Sequence, residues 1–179
     1  MPGKGIVWER VCNNSRDRLC QDGEISWCRM HPPVLKIGPG VKKKRGSFLA
    51  VRTGHGPPDW IALHKGNSIL GDDKDCRKGS WASTNVKKHQ AKAFDQHEAQ
   101  GGIACILLRM PDKSRWVIPW HVLKPLREKN ATISLTRLEE IGAKQWVMKD
   151  PKEPAYDWLK PLKEACNGRF SKCNDEEST

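Results

Sequence analysis

The chain has 179 residues, a length that allows one domain of ordinary size with a substantial core. Its longest wholly apolar run, residues 103–108, is far too short to cross a bilayer, and the first residues lack the apolar stretch of a secretory signal, so we expect a soluble, cytoplasmic protein. The 32 Lys and Arg against 21 Asp and Glu give a net charge of +11, which favours a polyanionic partner; plain solubility is the alternative.

Cysteine usage gives little support for a structural metal. The seven cysteines have irregular spacing, and we expect them to be mostly reduced inside a cell. The set that most resembles a zinc site is Cys20, Cys28 and His31. It lacks a close Cys-x2-Cys pair and is therefore a weak candidate.

The N-terminal segment has the apolar spacing of a helix from Gly5 to about Asn14. Glu9 lies in its early turns, where an acidic side chain suits the helix dipole without needing any other role. A strand over residues 24–29 is predicted next, before two prolines that enforce extended backbone.

Residues 36–56 are rich in glycine and carry a basic run in their middle, followed by a predicted strand over 47–52. A basic, glycine-punctuated segment is typical of an arm that contacts phosphates, and a disordered, solvated loop is the alternative. We favour the arm because a charged hairpin follows it. The basic run consists of Lys42, Lys43, Lys44 and Arg45.

The stretch after this arm predicts a β-hairpin, because two short apolar runs flank a polar break. Two registers are open. With a turn at 65–66, Asp59 faces Asp72 across the strands; with a turn at 66–67, Asp59 faces Lys74. Either register gathers two carboxylates and one ammonium at the open end of the hairpin.

Such a cluster is costly unless a cation lies between the carboxylates. Mg²⁺ prefers oxygen ligands and usually takes only one or two protein carboxylates. Asp59 and Asp72, with the backbone carbonyl of Asp73, meet this demand, while the two-residue period of a strand turns the Asp73 side chain to the opposite face. Lys74 can then orient a metal-activated water or offset charge in a transition state. An ordinary surface ion-pair cluster is the alternative.

Arg77 and Lys78 follow the hairpin, and Ser83 or Thr84 can cap a helix that ends before the glycines at 101–102. Gln90 is a polar residue on the face of this helix that should meet the sheet. A satisfied structural glutamine and a site residue are both compatible with that position.

The remaining segments complete an α/β pattern. We predict strands over 103–110 and 115–120, a helix around 135–145 that starts in a capping-box pattern, and a short docked helix within 151–163. The order of helix, strand, hairpin, helix and strands predicts an α/β layer fold. We expect one domain over residues 1–165, with the arm at 36–56 inserted, and a polar, flexible tail over 166–179.

The motif around the hairpin resembles that of the PD-(D/E)xK nucleases, since Pro58-Asp59 is followed 13 positions later by Asp72-Asp73-Lys74. More closely, the chain resembles the RecU family of Holliday junction resolvases. These proteins have an aspartate before an aromatic-aliphatic strand, then a Lys-Gly turn, an acid-x-Lys strand, an Asn…His-Gln helix and a Gly-Gly-Ile strand. Over residues 3–125 the sequence supplies Asp59-Trp60-Ile61-Ala62-Leu63, Lys65-Gly66, Asp72-Asp73-Lys74, Asn85, His89-Gln90 and Gly101-Gly102-Ile103.

The resemblance implies a nuclease-like core, with a central mixed sheet flanked by helices and a basic stalk before the catalytic hairpin. It also implies a bacterial or phage-encoded homodimer, acting at the nucleoid, that uses Mg²⁺, or Mn²⁺ in its place, to cut four-way DNA junctions. Matched residue by residue, Asp59 and Asp72 are metal ligands, Lys74 is the catalytic lysine, Gln90 lies beside the site, and Glu9 is a helix acid near the metal.

DNA contacts are then expected from the basic run at 42–45 and from Arg52, Arg77 and Lys78. Two departures from the family pattern concern Asp72, where glutamate is usual, and Gly71, where an apolar residue is usual. Two other functions stay open: a repair or restriction-like nuclease of the same superfamily, and a junction-binding protein without catalysis.

Overall fold

The fold is built on a six-stranded sheet with helices on both faces. The computed structural model describes residues 4–31, 34–39, 48–52, 54, 56–146, 157–166 and 168–170, and the side chains of 4–6, 34–39 and 48–52 are not described. In chain order the elements are α1 (Lys4–Gln21), β1 (Ser26–Arg29), β2 (Val34–Pro39), β3 (Phe48–Arg52), β4 (Trp60–His64), β5 (Asn67–Asp75), β6 (Trp81–Ala82), α2 (Lys88–Ala99), β7 (Ile103–Arg109), β8 (Arg115–Pro119), α3 (Trp120–Glu128), β9 (Thr132–Ile133), α4 (Leu135–Glu140), β10 (Lys144–Gln145) and α5 (Leu159–Cys166).

The main sheet is mixed, as expected, with strand order β1-β4-β5-β7-β8-β10. Its neighbours are antiparallel except for β5 and β7, which are parallel and are connected through α2. Residues 103–108 of β7 are all buried, and they alternate between two core clusters, one on each face. The near-continuous apolar run therefore marks a strand covered on both sides.

Each face of the sheet has its own helical layer. The first face packs against α1 and α5, with Trp8, Trp60 and Trp158 among its largest buried side chains. The Trp60 and Trp158 ring centroids are 5.1 Å apart. The second face packs against α2, α3 and α4, around Phe94 and Trp120. We call these the α1 face and the α2 face of the sheet.

The hairpin adopts the register with residues 65–66 in the turn. Lys65 and Gly66 have φ values of 44° and 77°, and two consecutive positive values are typical of a type I′ turn. The Asn67 side-chain amide donates to the carbonyl oxygens of His64 and Lys65, at 3.2 and 3.1 Å. The pairing then runs from residues 64 and 67 to 60 and 71, so the next opposed positions are 59 and 72.

Strands β2 and β3, which flank the basic run of the arm, pair as a separate antiparallel ribbon. Its register is irregular between Lys36 and Gly38. The strand predicted over 47–52 is therefore present over 48–52. The basic residues Lys42, Lys43, Lys44 and Arg45 lie outside the described residues.

Three helix boundaries differ from the sequence-based expectation. The N-terminal helix continues to Gln21 instead of ending near Asn14, because Arg16 and Leu19 are buried against the sheet. The second helix begins at Lys88, since residues 83–85 form a 3-10 turn whose Ser83 hydroxyl donates to Ala131 O at 2.7 Å. Thus neither Ser83 nor Thr84 caps it.

The predicted helix over 135–145 was too long. Its N-cap is Ser134, whose hydroxyl accepts from Arg137 N at 3.2 Å, and it ends at Glu140. Gly142, with φ of 76°, then redirects the chain into β10. The strand predicted over 115–120 ends at Pro119, and Trp120 instead begins helix α3, which the sequence analysis did not predict.

The C-terminal segment packs on the α1 face. Within α5 Leu159, Leu162 and Cys166 are buried. Arg169 NH1 contacts Glu98 Oε1 at 3.2 Å, so the first residues of the predicted tail are held by the fold. No helix among the described residues combines the length and apolarity that a membrane span requires.

Candidate active site

The open end of the hairpin brings two carboxylates together. Asp59 directly precedes β4, and Asp72 lies in β5 at the position opposite it, one step beyond the Trp60–Gly71 pair. Asp59 Oδ2 accepts a hydrogen bond from the backbone N–H of Asp73 at 2.9 Å. The strand that carries the second carboxylate therefore fixes the position of the first.

Asp72 is in an unfavourable electrostatic environment. It is fully buried, and neither of its carboxylate oxygens has a hydrogen-bond partner of acceptable geometry among the described residues. Lys74 Nζ lies 2.5 Å from Asp72 Oδ2 and forms an ion pair with it. Burial raises the pKa of Asp72 well above its ordinary value, the nearby Asp59 raises this pKa further, and Lys74 lowers it.

These two carboxylates fit a divalent cation. A buried carboxylate without hydrogen bonds, beside a second carboxylate, is costly, and a cation between them would relieve that cost. Within the described part of the chain, no group of three or more His, Cys, Asp or Glu side chains could hold a metal. A cation here would therefore rest on Asp59 and Asp72, with other ligands from water or phosphate, as Mg²⁺ allows.

Lys74 and Gln90 connect this pair to the α2 face. Lys74 Nζ lies 3.5 Å from Gln90 Oε1, and this oxygen also accepts from Lys87 N at 3.0 Å at the start of α2. Gln90 is buried, with 8% of its surface exposed. The structural role of Gln90 is supported by its bond at the start of α2, and its role as a site residue is supported by its contact with Lys74.

The Asp73 side chain points to the α1 face, as the strand period predicted. Its carboxylate accepts from Arg16 at 2.8 and 3.1 Å and from Trp60 Nε1 at 2.9 Å. The Arg16 guanidinium is buried between the Trp27 and Trp60 rings, 4.9 and 4.8 Å from their centroids. The Asp73 side chain is thus an anchor for α1, and only its backbone carbonyl remains as a candidate ligand.

Sequence reasoning did not identify Arg16, although a signal was present. Trp8, Cys12 and Arg16 follow each other at intervals of four along α1 and are all buried. A charged residue on the apolar side of a helix requires a buried partner of opposite charge.

Glu9 lies on the α1 face and forms an ion pair with Arg29, the last residue of β1. Both side chains are about half exposed. The next residue, Met30, donates its N–H to Asp59 O at 2.9 Å. Glu9 therefore lies at the same end of the paired strands β1 and β4 as Asp59, in contact with Arg29.

The other candidates from the sequence have varied outcomes. Arg77 and Lys78 are exposed directly after β5, whereas Arg52 ends β3 and its side chain is not described. Cys20 and Cys28 are free and exposed, and His31 does not join them in a metal-binding group.

The chain was compared with known structures, curated proteins and family models. The chain is similar to the solved structure of Archaeoglobus fulgidus Hjc, described as a Holliday junction resolvase from an archaeal hyperthermophile, with a TM-score of 0.46, 16% sequence identity and coverage of 74% of this chain and 92% of that chain. A search of curated proteins gave no match. The family model RecU, Recombination protein U, matches residues 5–164 and so includes most of α5, beyond the 3–125 covered by the motifs. The chain therefore belongs to the RecU family.

Proposed function

We propose that this protein is a metal-dependent endonuclease that resolves four-way DNA junctions by hydrolysing phosphodiester bonds. One observation carries the proposal: in a chain of the RecU family, Asp59 faces a buried Asp72 whose carboxylate lies 2.5 Å from the Lys74 ammonium. A site of opposed carboxylates beside a lysine is suited to holding a cation and a phosphate together.

Asp59 and Asp72, with the backbone carbonyl of Asp73, are the groups that would hold Mg²⁺, or Mn²⁺ in its place. When bound, such an ion polarises a scissile phosphate and lowers the pKa of a bound water. Asp72 stands where the family usually has glutamate, and its shorter side chain is fully buried at the open end of the hairpin.

Lys74 and its neighbours supply the remaining chemistry. The Lys74 ammonium orients the attacking water or offsets charge on the phosphate in the transition state. Gln90 holds this lysine through the 3.5 Å contact, and its own position is fixed by the start of α2. Glu9 is proposed to act at the margin of the site, and its ion pair with Arg29, the residue opposite Trp60 at the start of β4, supports this role.

Binding of branched DNA is proposed to rest on the basic residues near this edge and on the arm. The net charge of +11 favours the phosphate backbone through release of counterions. Symmetric cuts in two strands need two sites, so we propose a homodimer. The proposed DNA-contacting residues are Lys42, Lys43, Lys44, Arg45, Arg52, Arg77 and Lys78.

The test is cleavage of a synthetic four-way junction and of a linear duplex, each with and without Mg²⁺. We expect Mg²⁺-dependent cleavage of the junction, with much slower cleavage of the duplex, and none by Asp72→Asn. Equal cleavage of both DNAs would instead indicate a less selective nuclease. Tight junction binding with no cleavage in Mg²⁺ or Mn²⁺ would indicate a binding protein.

A further inference from the structure

A cleft of about 360 Å³ lies at the ends of β5 and β7. Asp75 and Arg109, the last residues of these two strands, are paired and line it together with the segments that follow each strand. Asp75 follows Lys74 directly in β5, and by the two-residue period of a strand its side chain lies on the opposite face of the sheet from Lys74. The Arg109 side chain of this cleft lies on the α1 face, where its guanidinium is 5.5 Å from the centroid of the Trp8 ring in α1.

The lining of the cleft is mainly cationic. Arg77, Arg109 and Lys113 contribute three positive charges, and Asp75 contributes one negative charge. Arg109 Nε and NH2 donate to the two oxygens of Asp75 at 2.9 and 2.8 Å, which uses two of the five N–H groups of a guanidinium. Arg77 is 62% exposed, and its Nε is 3.9 Å from Asp75. The cleft therefore has an excess of cationic donors.

The loops that carry these charges are held in place. Lys113 N donates to Met110 O at 2.9 Å, which closes the turn after β7. Cys76 N donates to Arg109 O at 2.8 Å, and the Cys76 thiol donates to two carbonyl oxygens further along the loop of Arg77, at 3.0 and 3.3 Å. Arg109 itself is fixed between Asp75 and an indole ring. A site of this kind loses little conformational freedom when it binds an anion.

We infer that this cleft binds a backbone phosphate of DNA, flanking the phosphate at the proposed active site. Guanidinium groups match phosphate oxygens in geometry, and an exposed lysine adds charge. The identity of the ligand as DNA rests on the proposed function, whereas the cleft and its charges do not. One DNA strand would then pass over the ends of β5 and β7, with one phosphate near Asp72 and a neighbouring phosphate near Arg109 on the other face of the sheet.

The test compares two double variants that each remove two exposed positive charges. Arg77→Gln/Lys113→Gln alters the cleft, and Arg18→Gln/Lys65→Asn is the matched control, at the far end of α1 and in the hairpin turn. Arg109 is left intact because its loss would leave Asp75 unpaired. Affinity for a four-way junction is measured in EDTA by fluorescence anisotropy, with single neutral methylphosphonates placed at successive backbone positions.

We expect the wild-type protein and the control to lose about tenfold in affinity at one methylphosphonate position, as for an interaction of about 1.4 kcal/mol. The cleft variant should bind unmodified DNA about tenfold more weakly and be insensitive to the modification at that same position. Its log–log salt slope should fall by about 0.9 relative to the control.

Equal losses in the cleft variant and the control, or retained sensitivity at that position, would overturn the inference. So would a wild-type protein that does not bind the junction. Absence of cleavage in Mg²⁺ alongside the expected position-specific loss would overturn the proposed nuclease function and leave the phosphate cleft standing.

Discussion

Replacing Asp72 with asparagine should stabilise the metal-free protein and remove its response to Mg²⁺. In the wild type, Asp72 is fully buried and faces Asp59, and the Lys74 ammonium that pairs with it belongs to a side chain that is 19% exposed, which can stay hydrated when residue 72 is neutral. An asparagine has nearly the same shape, carries no charge, and can donate its amide to the Asp59 carboxylate. Relief of one unsatisfied buried group is worth about 1–2 kcal/mol, or about 2–8 °C in melting temperature for a chain of this length.

The pH dependence of this gain has a definite sign. The folded protein holds the pKa of Asp72 well above the ordinary value of 3.8, so between these two values the folded state binds more protons than the unfolded state. The free energy of unfolding of the wild type therefore falls as the pH rises through this window. The advantage of Asp72→Asn should be small near pH 4 and grow towards neutral pH.

The matched control is Asp73→Asn, which makes the same chemical change one residue away. It breaks the buried pair with Arg16 and should destabilise the protein by about 3–5 kcal/mol. Thermal unfolding is measured for both variants and the wild type, with and without Mg²⁺ at ten times its dissociation constant, which should stabilise the wild type by about 1.4 kcal/mol. If Asp72→Asn melts lower than the wild type, or still responds to Mg²⁺, the assignment of a strained metal-binding carboxylate is wrong.

Three further changes test other parts of the structure. Gly71→Ala places a Cβ in the space that the Trp60 ring occupies, and it should lower the free energy of unfolding in urea by about 1–3 kcal/mol. The loss should be smaller in a Trp60→Leu background, and equal losses in both backgrounds would contradict this packing. Gln90→Met should slow junction cleavage roughly 10- to 100-fold at unchanged affinity, with recovery in Gln90→Glu, which keeps the acceptor oxygen for Lys74. Neutral residues at 42–45 should lower the salt slope of junction binding by about 0.9 for each phosphate that the arm no longer neutralises, and an unchanged slope would show that the arm does not touch phosphate.

The hairpin shows what a sequence pattern can and cannot decide. The two registers differ by two residues on the second strand, so each keeps the same side chains on the same faces. Hydrophobic periodicity therefore could not choose between them. The choice follows from packing, because Trp60 lies across from Gly71 and its ring occupies the space of a side chain there. Gly71, a departure from the family pattern, is thus required by the tryptophan that faces it.

The α/β layering and the central strand were predictable because their apolar patterns are long and consistent. The region after β8 was less so. The helix α3 contains Pro125 in its interior, which lowers its intrinsic helical propensity. Its location is decided by the burial of Trp120 and Leu123 against the sheet, and such tertiary contacts are not visible in local sequence.

The two adjacent aspartates differ in how the fold neutralises their charge, and this difference bears on the proposed cation site. Asp73 receives three hydrogen bonds from Arg16 and Trp60, and its charge is neutralised within the α1 face. Asp72 has the same side chain and is also buried, yet among the described residues it has the Lys74 ion pair and a second carboxylate opposite it. The buried Arg16 neutralises Asp73 but not Asp72. A cation bound beside Asp72 would therefore still lower the electrostatic energy of the folded protein. The Arg16–Asp73 pair thus supports the proposed site, since it holds β5 against α1 and leaves the Asp72 carboxylate without a buried arginine of its own.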